Sequence, residues 1–187
     1  MTTPILTVAN QLTILRMALV PFLVLAVLSR EFTWALVIFV VAGVSDLLDG
    51  LIARLGHQKT TLGAMLDPVA DKLLLSASFI VLTWGAELVA RIPVWLTVIT
   101  LSRDAIIVVS VTVINLTVGR RVFFPSILGK FATVAQIASA GVVLLQNALA
   151  TEYRETKYLF YATVVMTVAS ALHYVHLASM GRGSSEP

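Results

Sequence analysis

The chain contains no cysteine, so disulfides and thiolate-bound metals are excluded and sulfur chemistry says nothing of redox compartment. Histidine is nearly as scarce: His57, His173 and His176 are too few and too scattered for a zinc centre. Charge is the third shortage. Asp, Glu, Lys and Arg make up 12% of the 187 residues, whereas a soluble domain carries about 25%. The N-terminal segment lacks the basic leader of a cleaved signal peptide, and Asn10, Gln11 and Arg16 interrupt its apolar stretch. No internal repeat or low-complexity tract is present. A net charge of +3 in so apolar a chain bears on membrane orientation and anionic lipid, not on nucleic acid.

What fills the chain instead is apolar sequence, at 58% hydrophobic residues. It divides into runs at about 8–29, 33–54, 62–84, 93–118, 127–149 and 157–179, each close to the roughly 20 residues that cross a bilayer. This pattern predicts an all-α, polytopic membrane protein with six transmembrane helices. Residues 1–180 are expected to form a single membrane-embedded domain, with 181–187 a polar, disordered tail. With six spans, both termini share a side with Arg54, Lys59, Arg120, Arg121, Lys130 and Arg182. The other side has Arg30, Arg91, Arg154 and Lys157. That excess of basic residues favours cytoplasmic termini. Trp34, Trp84 and Trp95 fall at span ends, where an aromatic belt places them.

The acids carry the chemistry. Of ten acidic residues, five are Asp lying within or at the end of apolar spans: Asp46, Asp49, Asp67, Asp71 and Asp104. A carboxylate at mid-helix costs on the order of 3 kcal/mol to insert, so four together cost roughly 10. A divalent cation offsets such a cost, because hard cations favour several carboxylate oxygens. Asp46 and Asp49 share a helix face at i,i+3, and Asp67 and Asp71 do so at i,i+4. A short loop joins their spans, so an antiparallel hairpin is expected to set the pairs at similar depth, as a two-metal site requires. Gly50, Ala53 and Gly63 leave room beside them, and Pro68 is expected to bend or start the third span. Two other readings compete. The aspartates can be ion-paired to Arg54, Lys72 and Arg103 for helix packing, or they can serve an ion-coupled transporter.

The segment Asp46-Leu-Leu-Asp49-Gly50-Leu-Ile-Ala53-Arg54, eight residues, then Gly63-Ala-Met-Leu-Asp67-Pro-Val-Ala-Asp71 reads D-x2-D-G-x2-A-R-x8-G-x3-D-x3-D without a departure. It resembles the signature of the CDP-alcohol phosphatidyltransferase family, and Asn10-x2-Thr13-x2-Arg16 extends the likeness into the first span. The resemblance implies a six-helix membrane enzyme, usually a homodimer and dependent on Mg²⁺ or Mn²⁺, embedded in a plasma membrane with its site facing the cytoplasm. Such an enzyme transfers a phosphatidyl group from CDP-diacylglycerol to an alcohol and releases CMP. On this sequence it implies that Asp46, Asp49, Asp67 and Asp71 ligate metal and that Asp71 is also the catalytic base. It further implies that Asp46, Gly50, Ala53, Gly63 and Asp67 line the CDP pocket while Arg54 holds phosphate.

The acceptor is read from later segments. Leu101-Ser102-Arg103-Asp104 and Ser126-Ile127-Leu128-Gly129-Lys130 resemble blocks shared by phosphatidylglycerophosphate synthases and cardiolipin synthases. Those enzymes use glycerol 3-phosphate and phosphatidylglycerol. The Ser-Arg-Asp form and Ala169-Ser170-Ala171-Leu172-His173-Tyr174 are closer to the cardiolipin type. Val108-Val109-Ser110-Val111 stands where glycerol 3-phosphate enzymes commonly carry a further arginine. Both glycerol-type acceptors stay open, with inositol phosphate or another alcohol as the alternative. Arg103, Lys130, Arg120 and Arg121 are the candidate acceptor-binding residues, against plainer roles for Arg103 as the partner of Asp104 or of an active-site Asp and for Arg120 and Arg121 as topology signals.

Overall fold

A computed structural model describes residues 8–55, 61–117 and 127–179. Six α-helices and no strand occur among the described residues. They are α1 (Val8–Leu28), α2 (Phe32–Leu55), α3 (Thr61–Trp84), α4 (Val94–Thr117), α5 (Ile127–Ala148) and α6 (Thr156–Ser179). Every described boundary falls within one residue of the apolar runs in the sequence. The reason is simple: a long apolar run without internal breakers satisfies its backbone only as a helix when no water is at hand. Proline does not break this rule here. Pro21 lies inside α1, and α3 begins at Thr61 and runs through Pro68, so Pro68 does not open that helix.

The C-terminal ends of α1 and α5 are closed in the same way. Glu31 N donates to Ala26 O (2.8 Å) and Arg30 N to Val27 O (3.1 Å); Thr151 N donates to Gln146 O (2.9 Å) and Ala150 N to Asn147 O (3.2 Å). This is the Schellman pattern, which needs a left-handed residue after the helix. Arg30 (φ 64°) and Ala150 (φ 50°) supply it without glycine.

The chain forms two compact units. The first comprises Met1–Arg91 and Ala140–Glu152. In it α1 packs along both α2 and α3, around buried Leu23, Val27, Ala35, Phe39, Ala42 and Phe79. Asn147 ties the segment after α3 to α5. Its Oδ1 accepts from Val89 N (2.8 Å) and Ala90 N (3.3 Å), and its Nδ2 donates to Ala90 O (2.8 Å) and Val143 O (2.8 Å).

The second unit comprises Ile92–Ser139 and Tyr153–Pro187. Here α6 presents a buried polar stripe, Thr163, Thr167 and Ser170, at the i, i+4, i+7 spacing of one helix face. Thr163 Oγ1 pairs with Ser139 Oγ (2.8 Å) and Gln136 Nε2 donates to Thr167 Oγ1 (3.5 Å), joining α5 to α6. Arg103 Nη2 donates to Ser170 Oγ (2.6 Å), joining α4 to α6. Hydrogen-bonded small polar residues of this kind hold helices together where no hydrophobic drive separates helix from lipid.

Two helices are long and apolar enough to cross a membrane among the described residues, Gln11–Leu28 and Ile127–Ala148. Outward-facing residues on the other helices are apolar too, including Val37, Val40, Val41, Ile80, Val98 and Val165. Trp34 and Trp95 lie exposed near the first residues of α2 and α4, and Trp84 is exposed at the last residue of α3.

Candidate functional site

All four aspartates of the motif lie on helical backbone, Asp46 and Asp49 on α2 and Asp67 and Asp71 on α3. The pairs sit about 9–15 Å along their helices from the ends that residues 56–60 connect. The side chains of Asp49, Gly50, Ala53, Arg54, Gly63 and Asp67 lie outside the described residues, as do Arg120 and Arg121 entirely. Asp46 and Asp71 are described, one from each pair.

Both carboxylates converge on a single cation, Arg16 of α1. Arg16 Nη2 stands 2.9 Å from Asp46 Oδ1, and Nη1 stands 2.5 Å from Asp71 Oδ1. The exposures are unequal in a telling way. The Arg16 side chain is 1% exposed, while those of Asp46 and Asp71 are 44% and 42% exposed. The cation is sunk into the unit, whereas both carboxylates keep part of their surface exposed.

The packing reading named Arg54, Lys72 and Arg103 as ion-pair partners of the aspartates, and the Arg54 side chain lies outside the described residues. Arg103 instead donates from Nη1 to its neighbour Asp104 Oδ1 (2.7 Å) and from Nη2 to Ser170. Arg103 and Asp104 are both buried, so this arginine is engaged in holding α4 to α6. In the sequence Arg16 stands out as an interruption of the first apolar stretch and as part of Asn10-x2-Thr13-x2-Arg16. An arginine inside an otherwise apolar span is itself the signal, because a lone charge there needs a partner. Thr13, one turn earlier on the same helix, is fully buried as well. Lys130, the remaining described acceptor candidate, is exposed on the first turn of α5.

Among the described residues no three His, Cys, Asp or Glu form a cluster that can hold a metal. Asp46 and Asp71 nevertheless fit one by donor chemistry. They are hard oxygen donors from two helices, already gathered about a positive charge and part-exposed.

Comparison with known proteins bears on what such a site does. The profile of the CDP-alcohol phosphatidyltransferase family matches residues 6–175. A Streptomyces coelicolor protein named cardiolipin synthase (CMP-forming) is 36% identical over 153 residues, covering 76% of this chain and 67% of that protein. A Mycobacterium tuberculosis protein named probable phosphatidylglycerophosphate synthase is 33% identical over 176 residues, covering 89% of this chain and 79% of its own length. The human cardiolipin synthase (CMP-forming) is 42% identical over 106 residues, and the match spans 34% of that longer protein.

Proposed function

The chain belongs to the CDP-alcohol phosphatidyltransferase family, and from that premise we propose that it transfers a phosphatidyl group from CDP-diacylglycerol to a glycerol-type alcohol, releasing CMP. The single observation that carries this reading to the site is the convergence of Asp46 and Asp71 on Arg16 while both carboxylates stay part-exposed. Family membership also weighs against the transporter alternative. The Streptomyces coelicolor and Mycobacterium tuberculosis relatives are named for different products, so both glycerol 3-phosphate and phosphatidylglycerol remain proposed acceptors.

In this reading Asp46, Asp49, Asp67 and Asp71 would hold Mg²⁺ or Mn²⁺. A divalent ion bound there supplies charge stabilisation to the phosphate that departs with CMP. The protein's own residues do the rest. Gly50, Ala53 and Gly63 let the nucleotide approach the helix backbone, and Arg54 takes its phosphate. Asp71 accepts the proton of the acceptor hydroxyl as that oxygen bonds to the phosphatidyl phosphorus, and the bond to CMP breaks with its electron pair leaving on CMP. A carboxylate is a weak base for an alcohol, so the proton moves during the displacement and not before it. Asp71 is oriented for this by Arg16, which pins Oδ1.

The chain is membrane-associated, as its family is, and we propose further that all six helices span the bilayer. Their lengths, 21–24 residues, correspond to about 31–36 Å, enough for a hydrocarbon core of about 30 Å. The excess of Lys and Arg that the sequence assigns to the side of the termini supports a cytoplasmic site, where acyl chains stay in lipid while nucleotide and acceptor arrive from water. A homodimer is proposed on the family resemblance alone.

Purified protein in mixed micelles, supplied with CDP-diacylglycerol, Mg²⁺ or Mn²⁺ and a panel of glycerol 3-phosphate, phosphatidylglycerol, inositol, inositol phosphate and serine, tests the reading. CMP release and a new lipid are expected with a glycerol-type acceptor and not with serine. No CMP with any of them would sink it. We also propose Arg103 and Lys130, with Arg120 and Arg121, as the acceptor's anion-binding residues. Because Arg103 already holds Asp104 and Ser170, Arg103→Ala is expected to cost about 2–3 kcal/mol of stability by uncovering a buried carboxylate. Thermal unfolding in detergent measures that. A raised KM for glycerol 3-phosphate in the fraction that stays folded then separates acceptor binding from packing.

A further inference from the structure

Arg16 is among the largest fully buried side chains of the protein, and its charge is balanced by carboxylates from two different helices. The fork is split: one terminal nitrogen serves α2 through Asp46 and the other serves α3 through Asp71. A guanidinium keeps its charge at any accessible pH and holds its two terminal N–H groups in one plane. It is therefore a fixed positive charge that braces two carboxylates, each of which remains part-exposed. A divalent ion held by Asp46 and Asp71 would share those carboxylates with the Arg16 charge. Two like charges sharing ligands repel, and in a partly buried setting that repulsion is only weakly screened.

We infer that Arg16 is a positioning residue with two opposed effects: it holds Asp71 in its working orientation and at the same time weakens the site's hold on the divalent ion. The inference rests on the reading of the motif aspartates as metal ligands. Its consequence is a site whose carboxylates stay gathered with or without metal and whose metal affinity is kept below what four carboxylates alone would give. By linkage, the free energy by which Arg16 opposes the ion equals that by which the ion loosens the Arg16 bridges.

The test uses the full chain in detergent and follows free Mn²⁺ by electron paramagnetic resonance, alongside CMP release. Wild-type protein is expected to bind Mn²⁺, and the double variant Asp46→Asn/Asp67→Asn to lose that binding. Arg16→Gln is expected to bind Mn²⁺ about fivefold or more tightly than wild type, while kcat falls by about tenfold or more as Asp71 loses its orienting donor. Arg16→Lys keeps the charge but has no fork to span both carboxylates, so its Mn²⁺ affinity is expected within about twofold of wild type with kcat still reduced. If wild-type protein binds no Mn²⁺, the metal-site reading itself fails. If wild type binds and Arg16→Gln has unchanged or weaker affinity, the metal site stands and the role given to Arg16 is wrong. Should Arg16→Gln not fold, Arg16→Lys decides, because a tenfold or greater loss of Mn²⁺ affinity there would mark Arg16 as a mere brace for the ligands.

Discussion

Replacing Asp71 by asparagine is expected to lower turnover by about 10²–10⁴-fold, the range that a positioned general base contributes, while Mn²⁺ and CDP-diacylglycerol binding stay within about tenfold of wild type. The geometry explains the asymmetry. Asp71 Oδ1 lies 2.5 Å from Arg16 Nη1, and an asparagine side-chain oxygen can accept that same hydrogen bond, so the side chain keeps its place. What disappears is the charge that draws a proton from the acceptor hydroxyl. Three of the four carboxylates proposed to hold metal remain. Single-turnover CMP release and a Mn²⁺ titration on one preparation read the two quantities separately. Binding that falls in step with turnover would mean that Asp71 is chiefly a ligand and that another group takes the proton.

Asp46→Asn is expected to fail in the opposite order. Asp46 stands at the first motif position, proposed to contact both metal and CDP, and supplies the other arm of the Arg16 bridge at 2.9 Å. Neutralising it removes a carboxylate from the site and leaves Asp71 as the anion on the Arg16 fork that the open site still offers. Mn²⁺ affinity is expected to drop by about tenfold or more, in the range lost when a site's supporting groups are altered, and CDP-diacylglycerol binding to weaken with it. Excess Mn²⁺ is expected to restore part of the Asp46→Asn activity and none of the Asp71→Asn activity. Equal rescue of both variants would erase the distinction between ligand and base.

Much of this was legible before any coordinates. Six apolar runs became six helices with boundaries within a residue, because helix formation in an apolar solvent is a local matter of run length and backbone satisfaction. The aspartate pairs were legible for the same reason: i,i+3 and i,i+4 neighbours share a face on any helix. Arg16 was not. It lies 55 residues from Asp71, and no spacing rule selects one arginine over Arg54 or Arg103 as the partner of a distant carboxylate. Arg103 took a neighbour, Asp104, and a serine 67 residues away. The α6 stripe of Thr163, Thr167 and Ser170 repeats the lesson. Its face follows from helical period, but its partners on α4 and α5 depend on how those helices cross.

The four aspartates drew notice first as charges in a place where charge is costly, and the sequence by itself determined their helices, their pairing in twos and their match to the family motif. Tertiary structure alone decided that Arg16 is the cation that meets Asp46 and Asp71, that α1 stands against both α2 and α3, and that both carboxylates stay part-exposed. The division has one physical cause. Periodicity encodes what happens within a helix, whereas the rotation and depth of one helix against another come from the packing of many side chains at once, and no single stretch of sequence records that.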